Sequence, residues 1–300
     1  MNFEIWGLSG SLSTEREDQM ANAIERLWTR LESFDVACNR FHDDSELSRL
    51  NATPGEVTPV SETLELALDA ALRAADATEG LCDPTVLPSL LALGYDRDFD
   101  ELIARVNAPA ATPIRPLGPG AVHLDREHHT VIIDAPCQLD LGASAKALVV
   151  DLVADDVATS GGVVVELGGD VAVRGNGPQG PWAVGVSDAL TITGREPRIS
   201  LRHGGIATSS TTSRTWRAGN HVVNHIIDPR TGSFANGTYA TASVTASDCV
   251  LANAFATAAL LWDEEAAYHI AQAGWSARLV RSNGTVEFVG GWPEDTEAAR

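Results

Sequence analysis

The chain has 300 residues, 44% hydrophobic and 21% charged, with a formal net charge of −20 at pH 7. That length supports one large or two small domains with a real core, and the acidic balance excludes general nucleic-acid binding, which needs a basic excess against phosphates. There is no apolar run of the roughly 18 residues a membrane span needs and no export-signal pattern at the start, and Cys38, Cys82, Cys137 and Cys249 form no Cys-x-x-Cys pair, so a cytoplasmic protein with reduced thiols is expected.

Residues 3–12 read as a strand. Thr14-x-x-Glu17 reads as a capping box, followed by Met20, Ile24, Leu27, Trp28, Leu31 and Phe34 at helical spacing. Residues 40–51 read as a polar loop. A second helix starts at the N-cap Ser61, carries Leu64, Leu68, Leu72 and Ala75 on one face, and stops at Gly80. Residues 78–86 are turn-rich, and residues 108–120 read as an exposed Pro/Ala loop. Residues 122–125 and 130–133 read as a hairpin.

Residues 137–141 read as a strand end, followed by Gly142 and a helix that runs to Gly161-Gly162. A buried strand over 163–167 leads into the turn Gly168-Gly169-Asp170 and a strand over 171–173. Further strands are expected over 182–186, 199–202, 205–208 and 241–245, with a hairpin across Ala218-Gly219-Asn220. A helix begins near Ser247 or Asp248, another covers 263–273, and Asn283-Gly284 joins two final strands. The sum is α+β, with one mixed domain over residues 1–300 favoured over two separable ones.

Lys146 is the only lysine; every other basic side chain is an arginine. An ammonium is a compact point charge suited to a single phosphate oxygen, and a helix start offers N–H groups to an anion. Taken alone, a surface lysine left over from composition drift is an equal reading. Gly168-Gly169-Asp170 is either a plain turn or a close backbone approach to a ligand. The hydroxyls of Thr208 to Ser213, beside Arg214, suit either a polar strand edge or a phosphate cradle. Strand alternation would put His225 and Ile227 on one face and Ile226 and Asp228 on the other, with His225 structural, an acid or base, or a stacking group. Asn253 and Thr257, one helical turn apart, are either two polar residues in an Ala-rich helix or hard oxygen ligands suited to Mg²⁺.

In their order along the chain, these motifs resemble the FAD:protein FMN transferase (ApbE-like flavinyltransferase) family. The resemblance rests on Asp44-Ser45-Glu46-Leu47-Ser48-Arg49-Leu50-Asn51, Thr78-x-Gly80-x-x-Asp83, Leu139-Asp140-Leu141-Gly142-x-x-Ala145-Lys146, Gly168-Gly169-Asp170, Ala207-Thr208-Ser209 and His225-Ile226-Ile227-Asp228-Pro229-x-Thr231-Gly232. It implies an α+β fold of antiparallel-rich sheet with packed helices. It also implies a Mg²⁺-dependent cut of the FAD pyrophosphate that passes FMN to a Thr or Ser hydroxyl of an acceptor flavoprotein and releases AMP. Flavin and adenine contacts map to Trp6, Phe41, Leu81, Cys82, Asp83, Asp140, Lys146 and Ile227, and metal ligands to Ala143, Asn253, Ala256 and Thr257. His225 is the expected proton-transfer or positioning group, with Asp228 second. The chain departs from the family pattern at Asn253, where an aspartate is usual, and at Ala143 and Ala147, where glycines are usual. The rival readings are an FAD pyrophosphatase that uses water as acceptor and a catalytically weakened FAD-binding protein.

Overall fold

The first strand is broken by a reversal: Trp6 and Gly7 take φ of 54° and 67°, turning β1 (Asn2–Ile5) back onto β2 (Leu8–Thr14). This is seen in a computed structural model that describes residues 1–105, 112–187 and 196–293. The expected single strand over 3–12 is therefore a hairpin. The expected box at Thr14 also moves: the Gln19 side chain accepts from the Arg16 N–H at 2.9 Å instead. Helix α1 (Met20–Cys38) buries Ala23, Leu27, Leu31 and Phe34, while Trp28 stays exposed, edge-on to Phe3.

Residues expected as a polar loop contain α2 (Glu46–Ala52). Ser45 caps it by accepting from the Ser48 N–H at 3.0 Å, and Leu47 and Leu50 are buried. After the short strand β3 (Thr58–Pro59), α3 (Glu62–Ala77) starts at Ser61 as expected and ends before Gly80, whose φ is 83°. Two short helices not read from the sequence follow, α4 (Leu87–Ala92) and α5 (Phe99–Ile103). Of the expected 108–120 loop, residues 108–111 lie outside the described residues. The hairpin β4 (Val122–Asp125) with β5 (Thr130–Ile133) forms as expected. Residues 137–141 form no strand; the Asn51 side-chain amide pairs with Leu139, accepting its N–H at 2.7 Å and donating to its carbonyl at 2.9 Å.

The chain continues through α6 (Ser144–Ala158), β6 (Val163–Leu167), β7 (Asp170–Arg174), β8 (Trp182–Gly185), β9 (Arg198–Leu201) and β10 (His203–Ser210). Next come the hairpin β11 (Thr215–Ala218) with β12 (His221–Asn224), then β13 (Ile227–Asp228) with β14 (Ser233–Phe234). The last elements are β15 (Tyr239–Ala246), α7 (Cys249–Trp262), α8 (Ala266–Gln272), β16 (Ser276–Arg281) and β17 (Val286–Val289). Of the segment 225–228 read as an alternating strand, only Ile227–Asp228 is strand. Ile226 and Ile227 are both buried.

These elements fall into two interleaved units. The first comprises Met1–Trp28, Lys146–Ser213 and the described residues from Asn236 onward; the second comprises Thr29–Ala145 and Arg214–Ala235. The first unit is built on an eight-stranded antiparallel sheet in the order β1-β2-β6-β7-β10-β15-β16-β17, with α7 packed on β10 and β15. α7 buries five alanines, Ala252, Ala254, Ala256, Ala258 and Ala259, small side chains that let its backbone lie close to the sheet. The second unit holds α2 to α5, the three-stranded sheet β3-β5-β4 and the two small hairpins. One apolar cluster there gathers Leu90, Leu93, Tyr95, Leu102, Trp216, Ala218, Val223 and Ile227. Among the described residues no helix is long and apolar enough to cross a membrane.

Candidate functional site

The sheet unit carries a cluster around Asp170, the first residue of β7. The preceding turn needs two left-handed residues, and Gly168 and Gly169 supply them with φ of 61° and 93°. Asp170 is 1% exposed. Its Oδ2 accepts from Lys146 Nζ at 3.3 Å and its Oδ1 from Asn253 Nδ2 at 2.7 Å. Asn253 is 6% exposed, and its Oδ1 has no hydrogen-bond partner among the described residues. One turn further along α7, the Thr257 hydroxyl meets Ser209 Oγ at 3.1 Å. Ala256 is buried in the same helix.

The unit thus brings together Lys146, Asn253 and Thr257 from the sequence reading, joined by Asp170 and Ser209. A carboxylate, an unpaired amide oxygen and a hydroxyl on neighbouring elements are hard donors, which fits Mg²⁺. No group of three or more His, Cys, Asp or Glu that could hold a metal ion occurs among the described residues, so a cation here would rest on this mixed set of oxygens alone. Elsewhere in the 208–213 run, the Thr208 hydroxyl meets Ser243 at 2.8 Å and that of Ser210 meets Thr212 at 2.9 Å.

The helical unit carries a second cluster around Arg40 and Asp140. Arg40 Nε lies 2.6 Å from Asp140 Oδ2, with the two side chains 8% and 14% exposed. The guanidinium sits 4.1 Å from the Phe41 ring centroid and 4.7 Å from that of Tyr95. Asp140 Oδ1 also accepts from the Gly142 N–H at 2.8 Å, which turns the chain into α6. Burial pushes the Tyr95 hydroxyl's pKa up, although Arg214 and Arg40 oppose it. Ile227 belongs to the same apolar cluster as Tyr95, and Phe41 packs against that cluster. A small cavity of about 20 Å³, enough for one water, is lined by Ala71, Cys82, Asp83, Pro84, Asp140, Ala143 and Ser144. Four residues of the sequence reading, Cys82, Asp83, Asp140 and Ala143, therefore share one wall. Burial raises the pKa of Asp83, while its hydrogen bonds with Thr85 pull the other way. Leu81 is buried beside them.

His225 is half-buried on the segment between β12 and β13. Asp228 is engaged by its own turn: its Oδ1 accepts from the Arg230 N–H at 2.9 Å, and its Oδ2 from Arg230 Nη2 at 2.8 Å. Trp6 is half-buried in the β1–β2 turn of the sheet unit. The sequence reading missed the roles of Arg40, Tyr95 and Asp151, and had Asn51 only as the last residue of a motif. Arg40 had a legible signal, an arginine directly before a phenylalanine; Tyr95 and Asp151 had none, because their partners lie far away in sequence.

Solved structures show the class of fold. The ApbE protein from Thermotoga maritima superposes with a TM-score of 0.80 at 22% identity, over 96% of each chain. Pseudomonas stutzeri flavinyl transferase ApbE, in its apo form, gives a TM-score of 0.79 at 19% identity, over 100% of this chain and 97% of that one. The fold is thus the α+β fold of ApbE proteins. The ApbE family model matches residues 7–279, and the chain belongs to the ApbE family. A Vibrio cholerae relative named FAD:protein FMN transferase is 30% identical over 261 residues, 83% of this chain and 75% of that protein. One from Rhodobacter capsulatus with the same name is 34% identical over 230 residues, 73% of this chain and 43% of that protein.

Proposed function

We propose that this ApbE-family chain is a single-domain FAD:protein FMN transferase that cuts the FAD pyrophosphate with Mg²⁺, passes FMN to a Thr or Ser hydroxyl of an acceptor protein and releases AMP. The observation that carries it is the Lys146–Asp170–Asn253 cluster. A chain of net charge −20 has its only lysine at a buried carboxylate beside an unpaired amide oxygen. Phosphoryl transfer needs positioning and charge neutralisation more than covalent chemistry. When bound, Mg²⁺ supplies charge neutralisation on the pyrophosphate oxygens. Asn253 and Thr257, with the backbone of Ala143 and Ala256, are the residues proposed to hold it.

Lys146 offers its ammonium to a phosphate oxygen. Phe41, Leu81, Cys82, Asp83, Asp140 and Ile227 are proposed flavin or adenine contacts, supported by the wall that Cys82, Asp83 and Asp140 share with Ala143 and by the cluster around Tyr95, which holds Ile227 with Phe41 packed against it. Trp6 is proposed as a further contact. His225 takes or positions the acceptor proton, and the ties of Asp228 to Arg230 favour His225 over it. The cysteines are all free, in keeping with a cytoplasmic, reducing setting and a cytoplasmic acceptor.

Incubation with FAD, with and without Mg²⁺, followed by separation of FAD, FMN and AMP, tests this. Mg²⁺-dependent AMP, with flavin retained on a Thr- or Ser-bearing acceptor, is expected. Free FMN alone would favour hydrolysis, and tight FAD binding without AMP under any metal would favour a binding protein.

A further inference from the structure

We propose that Arg214, with the hydroxyl of Tyr95, forms a phosphate-binding site in the helical unit, taking a phosphate of FAD and of one of its two products, FMN or AMP. This rests on the reading above that FAD is the substrate. Arg214 closes the hydroxyl run that the sequence leaves open as a phosphate cradle, and it is half-buried. Among the described residues its partners are the Tyr95 hydroxyl, 3.3 Å from Nη1, and the Phe99 ring, whose centroid lies 5.4 Å from Cζ; no carboxylate pairs with it. Its Nε and Nη2 have no hydrogen-bond partner there, and these two groups form the fork that meets two oxygens of one phosphate.

The other guanidinium at Tyr95 is already engaged. Arg40 lies over the ring, 4.7 Å from its centroid, and its Nε is 2.6 Å from Asp140. Two cations and one carboxylate thus flank one buried phenol, which leaves a surplus positive charge in a chain of net charge −20. A guanidinium partly withdrawn from water is stabilised by an anion. The Tyr95 hydroxyl accepts from Arg214, and burial pushes its pKa up, so it keeps a proton to donate. Three donors remain, Arg214 Nε and Nη2 and the Tyr95 O–H, a set that matches an oxyanion. Thr215 and Asn224 are the last pair at the open end of the β11–β12 ladder, so Arg214 and His225 are the next residues on the two strands. Ile227 lies in the apolar cluster of Tyr95, and Phe41 packs against it.

Calorimetric titration of the full chain with FAD, FMN and AMP, and with riboflavin and adenosine, which have no phosphate, tests this in the wild type, Arg214→Met, Arg214→Lys and Tyr95→Phe. Affinity for FAD and for FMN or AMP should fall at least about tenfold in Arg214→Met and less in Arg214→Lys and Tyr95→Phe. Riboflavin and adenosine should bind all four proteins within about twofold of one another. The product that loses affinity, FMN or AMP, identifies the phosphate that Arg214 holds. Wild-type affinity for both FMN and AMP in Arg214→Met overturns the site, and so does a loss that riboflavin or adenosine shares in full, which would make Arg214 a support of the apolar wall. Should Arg214→Met not fold, Arg214→Lys and Tyr95→Phe decide by the same comparison. A wild type that binds none of FAD, FMN and AMP overturns the FAD reading itself and this assignment with it.

Discussion

Asp151 of α6 accepts the Cys249 backbone N–H at the first residue of α7 through both carboxylate oxygens, at 3.0 and 2.9 Å, and the Val250 N–H at 3.1 Å. The contact is possible because β10 has Gly205 there: a Cβ at that position would lie 2.3 Å from the Cys249 nitrogen. Arg174 closes the group, with Nη2 at 3.1 Å from Asp151 and Nε at 2.6 Å from Asp155. One carboxylate thus ties the helix of Lys146 to the helix of Asn253 and Thr257, and satisfies N–H groups that a helix start leaves open.

Asp151→Ala removes an acceptor from two buried N–H groups and leaves Arg174 with Asp155 as its remaining carboxylate. Loss of about 3 kcal/mol of unfolding free energy is expected, together with weaker Mg²⁺ and FAD binding, because the two helices lose their shared anchor. Urea unfolding of the variant beside wild type checks the first, and titration at a temperature where both are folded checks the second. Unchanged stability would mean that water replaces the carboxylate without loss.

The same residue sets a pH dependence. Burial pushes the Asp151 carboxyl up to about 6; the hydrogen bonds from Cys249 and Val250 and the charge of Arg174 pull it down, and Asp248 pushes it up. Its folded value lies above the unfolded value of 3.8, so the folded state holds the proton more tightly. The stability this contributes is present below about pH 4 and is lost as pH rises to about 6, roughly 3 kcal/mol in all. Asp151→Asn lacks that step. The variant should therefore gain on wild type between about pH 4.5 and 7.5 in paired urea titrations, where the other carboxylates, common to both, cancel. A constant difference across that range would contradict the raised value.

Much of the sheet unit was legible because its strands are short apolar runs closed by glycine pairs, and because Asp248 and Asn283-Gly284 carry local capping and turn chemistry. The family, the fold class and the lysine helix followed from motif order. Helix α2 was read as loop because its charged face hides Leu47 and Leu50, which are buried by tertiary contact rather than by a visible period. The 137–141 segment looked like a strand because it is extended, but its partner is the side chain of Asn51, which mimics a neighbouring strand over one residue. At the site, Lys146, Asn253 and Thr257 were each visible as odd residues for their surroundings. Asp170 was visible only as part of a turn, and its link to Asn253 spans 83 positions that local pattern does not bridge.

Arg40→Met tests the second cluster. The substitution keeps the apolar stem but strips the partner from Asp140, a carboxylate only 14% exposed, and the cation from the faces of Phe41 and Tyr95. About 3 kcal/mol of stability should be lost, less in Arg40→Lys, which keeps charge without the planar fork. FAD affinity, followed by flavin fluorescence, should fall in both if this cluster borders the flavin. Normal FAD affinity in a destabilised Arg40→Met would make the cluster purely structural.

Lys146→Ala separates the roles of the lysine. Removing the ammonium leaves Asp170, 1% exposed, with Asn253 Nδ2 as its remaining hydrogen-bond donor among those described, so the variant should unfold at a lower temperature. If Lys146 contacts the pyrophosphate, AMP release should fall at least about a hundredfold, near the roughly 2.7 kcal/mol of a lost charged contact in the transition state. Lys146→Arg discriminates charge from shape. A planar fork keeps the charge beside Asp170 but not the point-like shape of an ammonium, so it should restore stability better than turnover. Single-turnover AMP release and thermal unfolding on the same three proteins give both numbers. Turnover near wild type in Lys146→Ala would remove the lysine from the chemistry and leave it as the partner of Asp170 alone.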